Sequence, residues 1–213
     1  MPRRNGKPAV KFRRMKDLRR GQIMTAARRL FAERGMSAAP IAVIARAAGL
    51  SVGAFYLYFP NKEELLRQLL EEAGWALRRT LGEAFARDGS PLDRFENAGR
   101  AFFDRFCNGR RDMLVLILRE AVGVSAEIEE QRKAIFQTLI DDVIGAITGV
   151  TGDRGRTARR RAQVVAVSLL GMLERVAYHY YIWETGSKDR RKVADETVAF
   201  IRAGLGSVLR EGA

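Results

Sequence analysis

Apolar residues recur at intervals of three and four through almost the whole chain, and no stretch alternates β-branched with polar residues. That period puts the apolar side chains on one stripe of an α-helix, so the sequence is constrained to an all-α fold. Only five prolines occur in 213 residues, which leaves long uninterrupted tracts for such helices. Turn-forming clusters divide them: Gly35, Ala48-Gly49-Leu50-Ser51, Pro60-Asn61, Asp88-Gly89-Ser90-Pro91, Cys107-Asn108-Gly109, Gly123-Val124-Ser125, Gly149 to Gly155 and Thr185-Gly186-Ser187. The result is about nine helices, with no internal repeat.

The amino-terminal pieces are short. Residues 1–16 carry only positive charges and little to bury, and read as a flexible basic arm. A first helix is expected from about Asp17 to Arg34, with Ile23, Ala27, Leu30 and Phe31 facing inward and Gly35 available as a left-handed cap. A second opens at Pro40 and buries Ile41, Ile44 and Ala45. After a turn in which Gly49 supplies positive φ and Leu50 fills the angle between helices, Ser51 caps a third helix over Val52 to Tyr58. Asn61 and Glu64 form a capping pair for a fourth helix reaching about Arg87, roughly 40 Å long at 1.5 Å per residue.

Charge distinguishes the two ends. Residues 1–60 hold 13 Lys and Arg against Asp17 and Glu33, whereas the remaining 153 residues hold 25 against 23 acids. A positive charge gathered in one end is the electrostatic footprint expected of a polyanion binder, because each phosphate contact releases condensed counterions. Within that end, two short helices joined by a Gly-containing turn form a helix-turn-helix, whose second helix lies in the DNA major groove. Val52, Phe55 and Phe59 fall on its inner face, leaving Gly53, Ala54, Tyr56 and Tyr58 for DNA. Gly53 and Ala54 allow close approach and an alanine–thymine methyl contact, while the two tyrosines offer hydroxyls to phosphates. Lys62, in the first turn of the fourth helix, is placed to clamp a phosphate.

The stretch from Ile23 to Gly35, Ile41 with Ile44-Ala45, and the run Ala48-Gly49-Leu50-Ser51-Val52-Gly53-Ala54-Phe55-Tyr56-Leu57-Tyr58-Phe59-Pro60-Asn61-Lys62-Glu63-Glu64-Leu65-Leu66 together resemble the TetR family of bacterial regulators. The resemblance implies an all-helical homodimer, usually a repressor, whose carboxy-terminal domain binds a small effector and so loosens its hold on a palindromic operator. It implies DNA contacts at Ser51, Gly53, Ala54, Tyr56, Tyr58 and Lys62. One departure is Ala39-Pro40, where the family commonly places a threonine whose hydroxyl meets a phosphate. Arg13 and Arg14 of the arm offer a substitute by entering a minor groove.

The division expected is therefore an arm at 1–16, a DNA-binding domain at 17–60, and a ligand-binding and dimerisation domain at 61–213. Beyond about Leu70 the resemblance fades. Phe102, Phe106, Met113, Leu116, Ile117, Phe136, Leu173, Tyr178 and Trp183 are candidates for an apolar effector pocket, with core packing as the competing role. The apolar run Ala162 to Trp183 is expected to be buried on two sides, one of them against a second copy. The lone His179 and lone Cys107 support neither a metal site nor an intrachain disulfide, and no cofactor or catalytic centre is expected. No run of about 18 uninterrupted apolar residues exists, and the basic start lacks a following apolar segment, so a cytoplasmic location is expected. An architectural DNA-binding protein without an effector is the rival to a ligand-controlled regulator.

Overall fold

A computed structural model describes residues 7–184, 186 and 189–210, with the backbone alone at 7–12 and 210. Among them are nine helices: α1 (Lys7–Arg34), α2 (Ile41–Ala47), α3 (Val52–Tyr56), α4 (Lys62–Phe85), α5 (Pro91–Ala101), α6 (Arg111–Val115), α7 (Ala126–Thr151), α8 (Arg156–Ala177) and α9 (Arg190–Arg210). Three of these run on as wider, π-wound segments: α5 through Phe102–Asn108, α6 through Leu116–Glu120 and α8 through Tyr178–Trp183.

Local chemistry sets most boundaries. The Gly35 N–H, at φ 84°, closes α1 on the Phe31 carbonyl at 2.9 Å. Asn61 Oδ1 accepts from the Glu64 N–H at 2.7 Å. The Glu64 carboxylate does not return the bond but takes hydrogen bonds from Arg67 and Gln68, so half of the expected capping pair forms. Ser90 and Asp93 cap α5 reciprocally, with Pro91 in the first turn.

Two boundaries differ from expectation. α1 begins at Lys7 rather than Asp17, so residues 7–16 are helical and only 1–6 of the expected arm lie outside the described residues. Ala9, Lys11, Arg13, Arg14, Met15 and Lys16 are good helix formers, and Pro8 is tolerated in a first turn; like charge did not outweigh them. α3 ends at Tyr56, one half-turn before Tyr58. In the connection expected at Thr185-Gly186-Ser187, both flanking residues lie outside the described set.

One buried cluster runs through the molecule. It starts with Ile23, Ala27, Leu30 and Phe31 of α1, Ile44 and Ala45 of α2, and Phe55 and Phe59. It continues through Leu65, Leu66, Leu69 and Leu70 of α4 into α5 to α9. α4 therefore belongs to the reading head at one end and to the larger bundle at the other. Arg28 of α1 adds polar ties across this junction, to Glu72 at 2.9 Å and to Asp112 at 2.7 Å.

α7 is long and apolar enough to cross a membrane by length and composition alone. It nevertheless packs along α8 and α4. Asp141 and Asp142 interrupt its apolar half, and Asp142 is paired to Arg78, as suits a helix within a bundle. α8 is not buried on two sides within one chain. Ala162, Ala166, Leu173 and Ala177 face inward, while Val164 and Val167 lie exposed.

Candidate nucleic-acid interface and ligand cavity

The turn between α2 and α3 is built by two backbone bonds, Gly49 N–H to Arg46 O at 3.0 Å and Leu50 N–H to Ala45 O at 2.9 Å. With Gly49 at φ 70°, this double bond pattern satisfies the last carbonyls of α2 and turns the chain sharply. Leu50 packs on the core at the corner. Ser51 Oγ then accepts from the Ala54 N–H at 3.1 Å and starts α3. Phe55 and Phe59, both fully buried with ring centroids 5.9 Å apart, hold this short helix down.

Ser51, Gly53 and Tyr56 are exposed, Ala54 is half-exposed, and a side chain at Gly53 would meet nothing within 4 Å. This face is open to a groove. Tyr58 sits half-buried against the core, nearer to scaffold than to solvent. Val52, expected inside, is exposed; at the first position of a helix the side chain tilts backward past the residues that would cover it. Leu57 is, among the described residues, the most exposed large apolar side chain at 78%. Val52, Tyr56 and Leu57 form an exposed apolar rim around the small residues.

Cations flank the rim. Arg13 and Arg14 on α1 are exposed, as is Arg46 on α2, which sequence reasoning had not singled out. Its signal was available: a basic residue two positions before a helix-ending turn. Lys62 is half-buried and donates to the Met36 carbonyl at 2.9 Å, so one of its three N–H bonds is engaged in holding the α1–α2 connection. The same connection is held from the opposite side: Glu120 accepts from the Met36 N–H at 2.6 Å, and Arg119 donates to the Ala32 carbonyl at 3.0 Å. These bonds fix the reading head on the end of α6.

The larger bundle holds a cavity of about 580 Å³, open to solvent at one side and walled by α4, α5, α7, α8 and α9. Its walls are Leu81, Phe85, Phe95, Leu139, Val143, Leu169, Leu170, Leu173 and Ile201; Trp75, Arg78, Arg79 and Asp142 stand on its α4–α7 side. Of the nine pocket candidates, only Leu173 lines it. Phe102, Phe106, Ile117 and Phe136, again with Leu173, surround a separate void of about 30 Å³. Met113 and Leu116 are buried core. Tyr178 is half-buried with its ring edge-on to Trp183 at 5.0 Å, and Trp183 is 56% exposed beneath Arg175. The aromatic-rich segments thus pack one another, whereas the cavity is lined on α4 by Gly82, where an added side chain would meet nothing within 4 Å, and on α5 by Gly99, which lets α9 approach closely. Glycines inside long helices were the signal that could have located it.

Among the described residues, no group of three or more His, Cys, Asp or Glu side chains is placed to hold a metal ion. Burial pushes the Cys107 thiol well above its ordinary range, which leaves it protonated and unreactive.

A helix-turn-helix head with an open recognition helix, joined by one long helix to a hollow bundle, defines a class of DNA-binding regulators. The sequence profile described as bacterial regulatory proteins, tetR family, matches residues 23–69. The HTH-type transcriptional activator FasR of Mycolicibacterium smegmatis is 29% identical over 193 residues, covering 91% of this chain and 85% of the relative. Among solved structures, FadR of Bacillus subtilis in complex with stearoyl-CoA superposes with a TM-score of 0.71 at 19% identity, covering 86% of this chain and 98% of that one. AibR in complex with isovaleryl coenzyme A and operator DNA gives 0.69 at 21% identity, covering 86% and 97%. The tetR-family match over residues 23–69, with the likeness to FasR along most of the chain, makes this a DNA-binding transcriptional regulator.

Proposed function

We propose that the protein is a homodimeric, sequence-specific regulator that holds a palindromic operator until an acyl-type effector fills the 580 Å³ cavity. The cavity carries this reading: it is apolar, of the size that encloses a small ligand, and built on the helix that also supports the DNA head. The complexes of FadR with stearoyl-CoA and AibR with isovaleryl coenzyme A support an acyl thioester as the ligand class. In this reading residues 17–60 are the reading head and 61–213 the control and dimerisation unit. Ser51, Gly53, Ala54 and Tyr56 face the bases and the nearest phosphates, Tyr58 and Lys62 support the backbone contact, and Arg13 and Arg14 add phosphate or minor-groove contacts. The site of action is the cytoplasm.

Dimerisation is supported by the faces of α8 and α9, where Val164, Val167 and Phe200 are exposed and an added side chain at Gly171 or Gly204 would meet nothing within 4 Å. Two copies packed on these faces present two α3 helices to successive major grooves. Repression relieved by ligand is the output proposed; the activator FasR favours the opposite sign as a second reading.

The test is selection of duplexes from a random DNA library at near-physiological salt, followed by acyl-CoA competition on the recovered site and a promoter-fusion assay. One palindromic motif, released by acyl-CoA with a rise in transcription, is expected. Salt-sensitive binding without any motif would favour an architectural role, and a fall in transcription on release would favour activation.

A further inference from the structure

Among the described residues, the charged side chains on the cavity wall are Arg78 and Arg79 of α4 and Asp142 of α7. Arg78 grips Asp142 with both arms of its guanidinium, Nε at 2.8 Å and a terminal nitrogen at 2.9 Å. Arg79 lies over the Trp75 ring at 5.5 Å and 3.6 Å from Glu83. One turn before Arg78, α4 and α7 touch closely: a methyl added at Gly74 would stand 2.8 Å from Ile135. The two helices are thus pinned at Gly74 and latched by an ion pair at the rim of the cavity.

Resting on the reading of the cavity as the effector site, we propose that the Arg78–Asp142 pair is an exchangeable latch that selects the ligand's headgroup. An anionic group on the ligand, carboxylate or phosphate, replaces Asp142 on the Arg78 fork while the apolar tail fills the cavity. The planar guanidinium accepts either anion with the same two-bond geometry, so the charge-assisted bonds it loses are remade. The exchange costs little, because both partners are substantially exposed and such pairs are screened by water. Asp142 returns to solvent. Release of the latch frees α4 from α7 on the cavity side of the Gly74 contact, and the Lys62 end of the same helix carries the head.

The test measures binding of palmitoyl-CoA, palmitate and methyl palmitate to the full chain, read by calorimetry and by fluorescence of the rim residue Trp75. Arg78→Gln is expected to weaken palmitoyl-CoA or palmitate about tenfold, the loss of one charge-assisted contact, with methyl palmitate unchanged. Asp142→Asn, which removes the competing anion, is expected to tighten the same anionic probes severalfold. The two anionic probes separate a phosphate from a carboxylate preference. Equal affinity of wild type and Arg78→Gln for both would overturn the latch while leaving the cavity as effector site. Failure of all three probes to bind would overturn the reading beneath it, and the latch with it.

Discussion

Tyr56 presents a hydroxyl on the exposed face of α3, its ring meeting the buried Phe55 only edge-on, in contrast to the half-buried Tyr58. Tyr56→Phe is expected to weaken operator binding by about 1 kcal/mol, roughly fivefold, in a mobility-shift titration, and to leave thermal stability unchanged. Glu64 behaves differently. Hydrogen bonds from Arg67 and then Gln68 hold its carboxyl down to about 2 from an ordinary 4.5. The stabilisation is therefore complete above pH 4.5 and disappears as the pH falls towards 2. Thermal midpoints should fall across that interval more steeply for wild type than for Glu64→Gln, and parallel curves would remove Glu64 from the acid transition. At this scale, what was legible in the sequence was what bonds locally: Gly49, Ser51 and Asn61 act on residues within a few positions. Lys62 reaches back 26 residues to Met36, a partner that no local pattern announces.

Among elements, α4 and α7 meet closely at Gly74 and Ile135. Gly74→Ala would force the new methyl against the Ile135 side chain, and a loss of about 1–3 kcal/mol is expected from chemical denaturation. Gly74→Ala should cost less in an Ile135→Ala background than in the wild type; an equal cost would mean that the loss does not come from the Ile135 contact. Helix number and most caps were readable, because turn residues punctuate the chain at each break. The start of α1 was not, since seven positive charges in sixteen residues resemble an unstructured tail although the individual residues favour helix. The cavity was also hidden. Its wall joins five helices from Trp75 to Ile201, and only their packing decides which apolar faces meet and which leave space.

At the scale of the whole molecule, the exposed apolar residues of α8 and α9 form the surface assigned to the partner copy in the proposed homodimer. Val167→Glu places a charge there without touching the core, and is expected to convert a dimer to a monomer in sedimentation. Its affinity for a palindromic duplex should fall on the order of a hundredfold, with a single half-site affected little. Retention of the dimer would move the interface elsewhere. The all-α architecture and the position of the head were legible because both rest on periodicity and charge; the continuity of the core across residue 60 was not. That continuity limits how such a protein can be recombined. A chimera joined at the apparent boundary between head and bundle would set Leu65, Leu66, Leu69 and Leu70 against foreign surfaces, although all four are fully buried in their own. The natural splice point lies past Leu70, so a transplanted head must bring about the first two and a half turns of the fourth helix with it.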